Sequence, residues 1–163
     1  MSISTPGATS NTDDADGDVT LRPDARPLPP EEIDVALARW VGEIDQVPPA
    51  FSAAKVEGQR AYDLARGGAE VELKSRRVRI DGIDVLKYEW PRLEVEVRCG
   101  KGTYIRSIAR DLGAALACGG LVEALRRTRV GPFVESLAIS PEADAATLRS
   151  NLRPVGEAVA ELT

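Results

Sequence analysis

The sequence predicts a mixed α/β chain of the α+β type, and three observations carry that prediction. Apolar residues recur at helical spacing from Ile33 to Val41 and again from Ile105 to Leu116. They alternate with charged residues through Arg77–Ile80 and Leu93–Cys99. Pro29-Pro30, Pro48-Pro49, Gly67-Gly68 and Gly119-Gly120 punctuate the chain between these stretches. At 163 residues the length supports one domain of ordinary size with a hydrophobic core.

Residues 1–29 are rich in Ser, Thr, Asp, Gly and Pro and lack periodicity, so they read as an irregular acidic segment. From there Ile33, Ala36, Leu37, Trp40 and Val41 predict a helix over 30–42, behind an acidic first turn that suits the positive end of the helix dipole. Gln46-Val47-Pro48-Pro49 ends regular structure, because each proline lacks an amide donor and biases its predecessor toward an extended shape. A loop into a short strand is expected next, then a short helix over Ala61–Arg66 closed by Gly67-Gly68.

Val78 and Ile80 alternate with Arg77 and Arg79, and Leu93, Val95, Val97 and Cys99 alternate with Glu94, Glu96 and Arg98. Each set predicts a strand with one buried face. After the Gly100-Lys101-Gly102 turn, Thr103 is expected to cap a helix whose buried stripe is Ile105, Ile108, Ala109, Leu112 and Leu116. Beyond Gly119-Gly120, Leu121–Leu125 is expected as a second short helical stretch, and Gly131-Pro132 turns the chain toward a strand-like Phe133-Val134. Residues 140–163 read as a weakly helical tail.

Composition excludes much common chemistry. The chain has no histidine, which removes Ser-His-Asp and Cys-His catalysis and every His-ligated zinc motif. Cys99 and Cys118 form no C-x-x-C pair and read as reduced, buried thiols. No apolar run approaches the roughly 20 residues of a membrane span, and the acidic start lacks signal-peptide order, so a cytoplasmic chain is expected. The net charge is −5, yet the charges are segregated. Residues 1–35 carry eight acids against Arg22 and Arg26, whereas 98–129 carry Arg98, Lys101, Arg106, Arg110, Arg126, Arg127 and Arg129 against Asp111 and Glu123. The stretch 55–79 is also base-rich. A polyanion-binding face on a net acidic protein fits this map.

Gly100-Lys101-Gly102-Thr103 does not fit the G-x-x-x-x-G-K-[ST] phosphate loop, because a glycine follows the lysine. Two readings remain: a plain structural turn, or a strand-turn-helix whose helix N-terminus and Lys101 face an anion. Arg106 and Arg110 lie one helical turn apart, with Tyr104 in the first turn. As pattern alone they are equally solvated decoration or a ring and a guanidinium placed for a flipped base and its phosphate. Arg126-Arg127 carries the same ambiguity between helix-end charge and backbone-tracking patch.

Three blocks in order then resemble one family. Gln46 to Arg66, QVPPAFSAAKVEGQRAYDLAR, is similar to the QxPPxYSAxKxxGxRAYxxAR signature of TruB-type tRNA pseudouridine synthases. Cys99 to Gly113, CGKGTYIRSIARDLG, resembles their CSKGTYIRSLARDLG, and Leu125-Arg126-Arg127-Thr128 with Gly131-Pro132-Phe133 resembles LRRTxxGPF. Asp14-Ala15-Asp16-Gly17 looks like the end of LGxxTDTxDADG, with Pro6 in place of the leucine and Ser10-Asn11 in place of Thr-Asp.

The resemblance implies cofactor-free and metal-free isomerisation of the uridine at position 55 in the T arm of tRNA. It implies that Tyr104 stacks on the flipped base, Arg106 pairs with a nucleophilic aspartate and Leu125 lines the base pocket. Lys55, Lys101, Arg126 and Arg127 are expected to face RNA. On this basis 1–29 is a remnant of the family's upstream half. Residues 30–139 are a portion of the catalytic domain, with a mostly antiparallel sheet and flanking helices, and 140–163 is a tail without a PUA domain. The family's nucleophile lies in a G-x-L-D-P-x-A-x-G block, and this sequence has neither that block nor any Asp-Pro dipeptide. Asp13, Asp14, Asp16, Asp18 and Asp111 are not expected to replace it. The chain alone is therefore expected to be inactive unless a separate chain supplies the missing half. The competing expectations are a non-catalytic RNA-binding module and an inert product of a broken gene.

Overall fold

The computed structural model describes residues 2–4, 7–52, 55–56, 59–60 and 73–156, in two units, Met1–Leu125 and Arg126–Thr163. In the first unit the chain runs β1 (Ser2–Ser4), β2 (Ala8–Ser10), β3 (Val19–Leu21), α1 (Pro30–Ala38) and β4 (Gly42–Gln46). It continues as β5 (Lys55–Val56), β6 (Gln59–Arg60), β7 (Arg76–Glu89), β8 (Arg92–Cys99), α2 (Ile105–Ala115) and β9 (Leu121–Ala124). Five strands form one sheet in the order β4-β7-β8-β1-β9, and every neighbouring pair is antiparallel. The predicted short helix over Ala61–Arg66 lies outside the described residues.

The β7–β8 hairpin is the longest ladder, and two bulges decide which side chains it buries. Its register pairs Ile80 with Cys99, Ile83 with Val97, Val85 with Val95 and Tyr88 with Leu93, and shifts between Ile80 and Gly82 and between Val85 and Lys87. Each inserted residue inverts the alternation, so β7 keeps apolar residues opposite the buried Leu93 and Val95 although its own sequence is not strictly alternating. The core joins Leu93 and Val95 to Leu28, Ile33, Ala36 and Leu37 around α1, to Ala109 and Leu112 of α2, and to Cys118 and Val122. The Tyr88 hydroxyl donates to the Leu28 carbonyl at 2.7 Å, tying the approach to α1 onto the hairpin.

Helix α2 ends in a tight return. Leu116 caps it, Ala117 takes a left-handed φ of 53°, and the Cys118 and Gly119 amides both donate to the Gly113 carbonyl at 3.0 Å. A Cβ on Gly120 would stand 2.2 Å from the Ala109 carbonyl oxygen, and one on Gly113 would stand 2.2 Å from the Gly119 carbonyl carbon. These two positions are glycine because backbone passes against backbone there.

Five expectations are corrected. Residues 1–29 are not uniformly irregular: β1 lies between β8 and β9, and β2 pairs with β3. Three-residue strands are too short to leave a periodic signal. The first helix stops at Ala38 rather than 42, because Gly42–Gln46 is drawn into a ladder with Arg76–Ile80. Thr103 does not cap α2; its hydroxyl donates to the Gly100 carbonyl at 3.1 Å and closes the turn, leaving Tyr104 at the N-cap. Leu121–Leu125 is not helical, since its first four residues form β9 against β1, a tertiary pairing that overrides helix propensity. Cys118 is buried but Cys99 is exposed, because it is the last residue of β8.

In the second unit β10 (Arg129–Val130) and β11 (Phe133–Val134) form a hairpin around the predicted Gly131-Pro132 turn, followed by a 3-10 turn at Glu135–Leu137. Helix α3 (Ala145–Ser150) falls within the expected helical tail, and the Asp144 carboxylate caps it by accepting from the Thr147 amide at 2.7 Å. No helix among the described residues is long and apolar enough to cross a membrane.

Candidate functional site

The N-terminal half of α2 gathers two segments that are distant in sequence. The first is 46–51. Pro48 and Pro49 have no amide hydrogen, so this stretch offers carbonyls rather than a ladder. The Val47 carbonyl accepts from the Ser107 hydroxyl at 2.8 Å and from Arg110 Nη2 at 2.9 Å, and the Phe51 carbonyl accepts from Arg106 Nη2 at 2.9 Å. Gln46, 1% exposed, meets Tyr104 with both ends of its amide.

The second segment is the acidic loop between β2 and β3. Arg106 Nη1 donates to the Thr12 carbonyl at 3.0 Å and to Asp14 Oδ2 at 2.9 Å. Asp14 Oδ1 is occupied too, accepting from the Thr12 hydroxyl at 2.6 Å and the Asp16 amide at 3.2 Å. One turn along the helix, Arg110 reaches Asp13 Oδ2 at 3.0 Å and Asp111 Oδ1 at 2.7 Å. The loop is anchored to the sheet as well: the Val122 amide donates to the Asp13 carbonyl and the Ala15 amide to the Val122 carbonyl, both at 3.0 Å.

The two arginines differ in what surrounds them. Asp13 is buried in a left-handed conformation, φ 61°. Desolvation raises its carboxyl above the ordinary 3.8, and the Arg110 charge and hydrogen bond only partly oppose this. Burial pulls the Arg110 guanidinium down, but Asp111 and Asp13 together hold it above its ordinary value. Arg106 keeps a quarter of its side chain in solvent. Of its five N–H groups, three are committed to Thr12, Asp14 and Phe51, which leaves Nε–H and one Nη2 hydrogen for an incoming anion.

Tyr104 and Arg106 thus lie two residues apart at the start of α2, both half-buried. Lys101 is exposed in the turn just before them, and Leu125 is exposed immediately after β9. Lys55 falls in β5, but its side chain is outside the described residues. In the second unit Arg127 is exposed and Arg126 is bound to the Glu135 carboxylate. The acid that Arg106 meets within this chain is Asp14, because the loop that carries Asp14 is held against α2. Gln46 and Ser107 and the Asp13–Arg110 and Asp14–Arg106 pairs were not read as a site from sequence. The available signal was two arginines four apart beside two adjacent aspartates, which does not say which acid meets which base.

Residues 3–105 match the family model described as TruB family pseudouridylate synthase, N-terminal domain. The chain belongs to the TruB family. Residues 106–160 match a second model, the tRNA pseudouridylate synthase B C-terminal domain. Among relatives named tRNA pseudouridine synthase B, that of Caulobacter sp. strain K31 is 50% identical over 137 residues, covering 83% of this chain and 44% of the relative. That of Ruegeria pomeroyi is 48% identical over 167 residues, covering 96% and 53% respectively. The chain therefore spans about half the length of these relatives. Its fold is similar to a chain in the crystal structure of a Cbf5-Nop10-Gar1 complex, with a TM-score of 0.63 and 28% identity over 83% of this chain and 40% of that one. The mixed α/β class with an antiparallel sheet agrees with that likeness.

Proposed function

We propose that this chain is a portion of the catalytic domain of a tRNA pseudouridine synthase. In this reading it grips the T arm and contributes the base-stacking and cationic half of the site for the uridine at position 55. The observation that carries the reading is the pairing of Tyr104 with Arg106 at the start of α2. The Tyr104 side chain, half-buried, would stack on an extruded pyrimidine, and the guanidinium is held by acceptors from two segments, with donors left over. In the full reaction an aspartate carboxylate would attack C1′ of the ribose as its bond to N1 of the base breaks. The base would turn so that C5 displaces the carboxylate from C1′, and the C5 proton would then be lost to solvent while N1 takes one up. Arg106 would orient that carboxylate, Leu125 would border the base, and Lys55, Lys101, Arg126 and Arg127 would follow the phosphates.

The 163 residues contain no Gly-x-Leu-Asp-Pro block, and the candidate acids nearest Arg106 and Arg110 are already engaged by those cations. Turnover by these 163 residues alone is therefore expected to be absent, and that block would have to be supplied from outside them to restore it. The test uses tRNA labelled with tritium at uridine C5. The purified chain should bind T-arm RNA in a salt-sensitive way, lose that binding when Tyr104 and Arg106 are changed to alanine, and release no tritium. Tritium release would overturn the assignment of inactivity. Binding that ignores the double substitution would overturn the site.

A further inference from the structure

We propose that Gln46 is a positioning residue for Tyr104, acting as a helix cap supplied from a distant strand. The inference rests on the reading that Tyr104 stacks on an RNA base. Gln46 is the last residue of β4, 58 positions before Tyr104, and its side chain is 1% exposed. The Tyr104 amide donates to Gln46 Oε1 at 2.7 Å, and Gln46 Nε2 donates to the Tyr104 carbonyl at 3.0 Å. A primary amide here reproduces the two-way exchange that a backbone peptide makes in an antiparallel ladder.

The need for this contact follows from how α2 begins. Tyr104 is the N-cap residue, with φ −100° and ψ 111°, and no side chain of its own caps the first turn. A tyrosine cannot do so, since its only polar atom is at the far end of the ring. Thr103, which could, is turned back onto Gly100. The Tyr104 carbonyl also accepts the first helical bond, from the Ile108 amide at 3.3 Å. With Gln46 on both sides of the residue, the Tyr104 backbone is fixed between β4 and α2. Its direction of projection then follows from the sheet rather than from the ring's own contacts, so the ring can be left free for a ligand. The hydrogen-bonding requirement is strict. A carboxylate at this position would set its second oxygen against the Tyr104 carbonyl, and that repulsion would push it out of the clasp, so that both bonds return only when it is protonated.

The experiment uses the full chain, T-arm hairpin RNA, and the variants Gln46→Met, Gln46→Glu and Tyr104→Ala. Amide exchange by NMR, expressed as protection factors, reads the clasp. In Gln46→Met the Tyr104 amide should lose tenfold or more of its protection while Leu112, deep in α2, changes by less than threefold. In Gln46→Glu the protection should be near that of the parent at pH 5 and fall about tenfold by pH 7.5, a dependence the parent lacks. Should Gln46→Met unfold, the glutamate variant at its two pH values still decides the matter. RNA affinity should fall at least fivefold in Gln46→Met and follow pH in Gln46→Glu, and both effects should disappear in a Tyr104→Ala background. Unchanged protection of Tyr104 would overturn the clasp. Loss of affinity that persists without the ring would make Gln46 merely structural and overturn the positioning role. Parent binding that is absent or indifferent to Tyr104→Ala, with the clasp intact, would overturn the RNA reading and with it the purpose assigned to Gln46.

Discussion

Arg106→Lys separates a role for charge from a role for shape. The guanidinium bridges Thr12, Asp14 and Phe51 with three hydrogen bonds of 2.9–3.0 Å. A lysine keeps the charge but cannot span both the acidic loop and the 46–51 segment, so two of the three bonds are lost. Hydrogen bonds to charged groups contribute about 1.5–3 kcal/mol when well buried. With 25% of the arginine and 22% of the aspartate side chain in solvent, about 1 kcal/mol each is appropriate. The expected loss is about 2 kcal/mol, or a fall of about 4–8 °C in Tm for a chain of this size. Arg106→Met also leaves the Asp14 carboxylate without its cation and should cost about 3–4 kcal/mol. Urea unfolding followed by the fluorescence of Trp40 and Trp90, both in the first unit, measures these losses. T-arm affinity, measured alongside, should follow the same order. A lysine variant within about 0.5 kcal/mol of the parent, with full affinity, would show that the charge alone matters and would refute the planar clamp.

Three further outcomes follow from the same geometry. Gly120→Ala places a methyl group 2.2 Å from the Ala109 carbonyl oxygen, so backbone must move and unfolding should become easier by about 3 kcal/mol, read by thermal denaturation. Ala117→Gly removes the left-handed penalty at φ 53° and should stabilise by about 0.5–1 kcal/mol; destabilisation would contradict the assigned return of α2. Because burial raises the Asp13 carboxyl in the folded state, its contribution is fully present below the ordinary value of 3.8 and is lost as pH rises through the raised folded value. Asp13→Asn should therefore gain in stability relative to the parent between pH 3.5 and pH 7 in urea titrations, and the opposite slope would mean that Arg110 outweighs desolvation.

What could be read from the sequence was what repeats locally. The stripe of Ile108, Ala109 and Leu112 and the alternation through Leu93 and Val95 appear as expected, because burial of one face leaves a period in the residues themselves. The elements that were misread are those whose conformation is decided by a partner far away. Ser2–Ser4 and Leu121–Ala124 are strands because they pair with each other, and Ser2–Ser4 also pairs with β8; nothing within three or four residues announces that. The same holds for the site. The positions of Tyr104 and Arg106 at a helix start were legible, whereas the groups that hold them lie 55 to 94 residues away and include carbonyls, which carry no side-chain signature.

The sequence blocks that resemble the TruB family acquire a common physical meaning from this arrangement. Pro48 and Pro49 withhold donors, so Val47 and Phe51 turn their carbonyls to α2, and Ser107, Arg110 and Arg106 are the donors that meet them. Asp13 and Asp14 neutralise the same two arginines from the opposite segment. The motif around Gln46, the one around Tyr104 and the one beginning at Asp14 are thus three sides of a single hydrogen-bonded joint. Its cations are satisfied within the fold, yet one of them keeps spare donors. An anion that approached Arg106 would meet a group already oriented, with little conformational entropy left to lose.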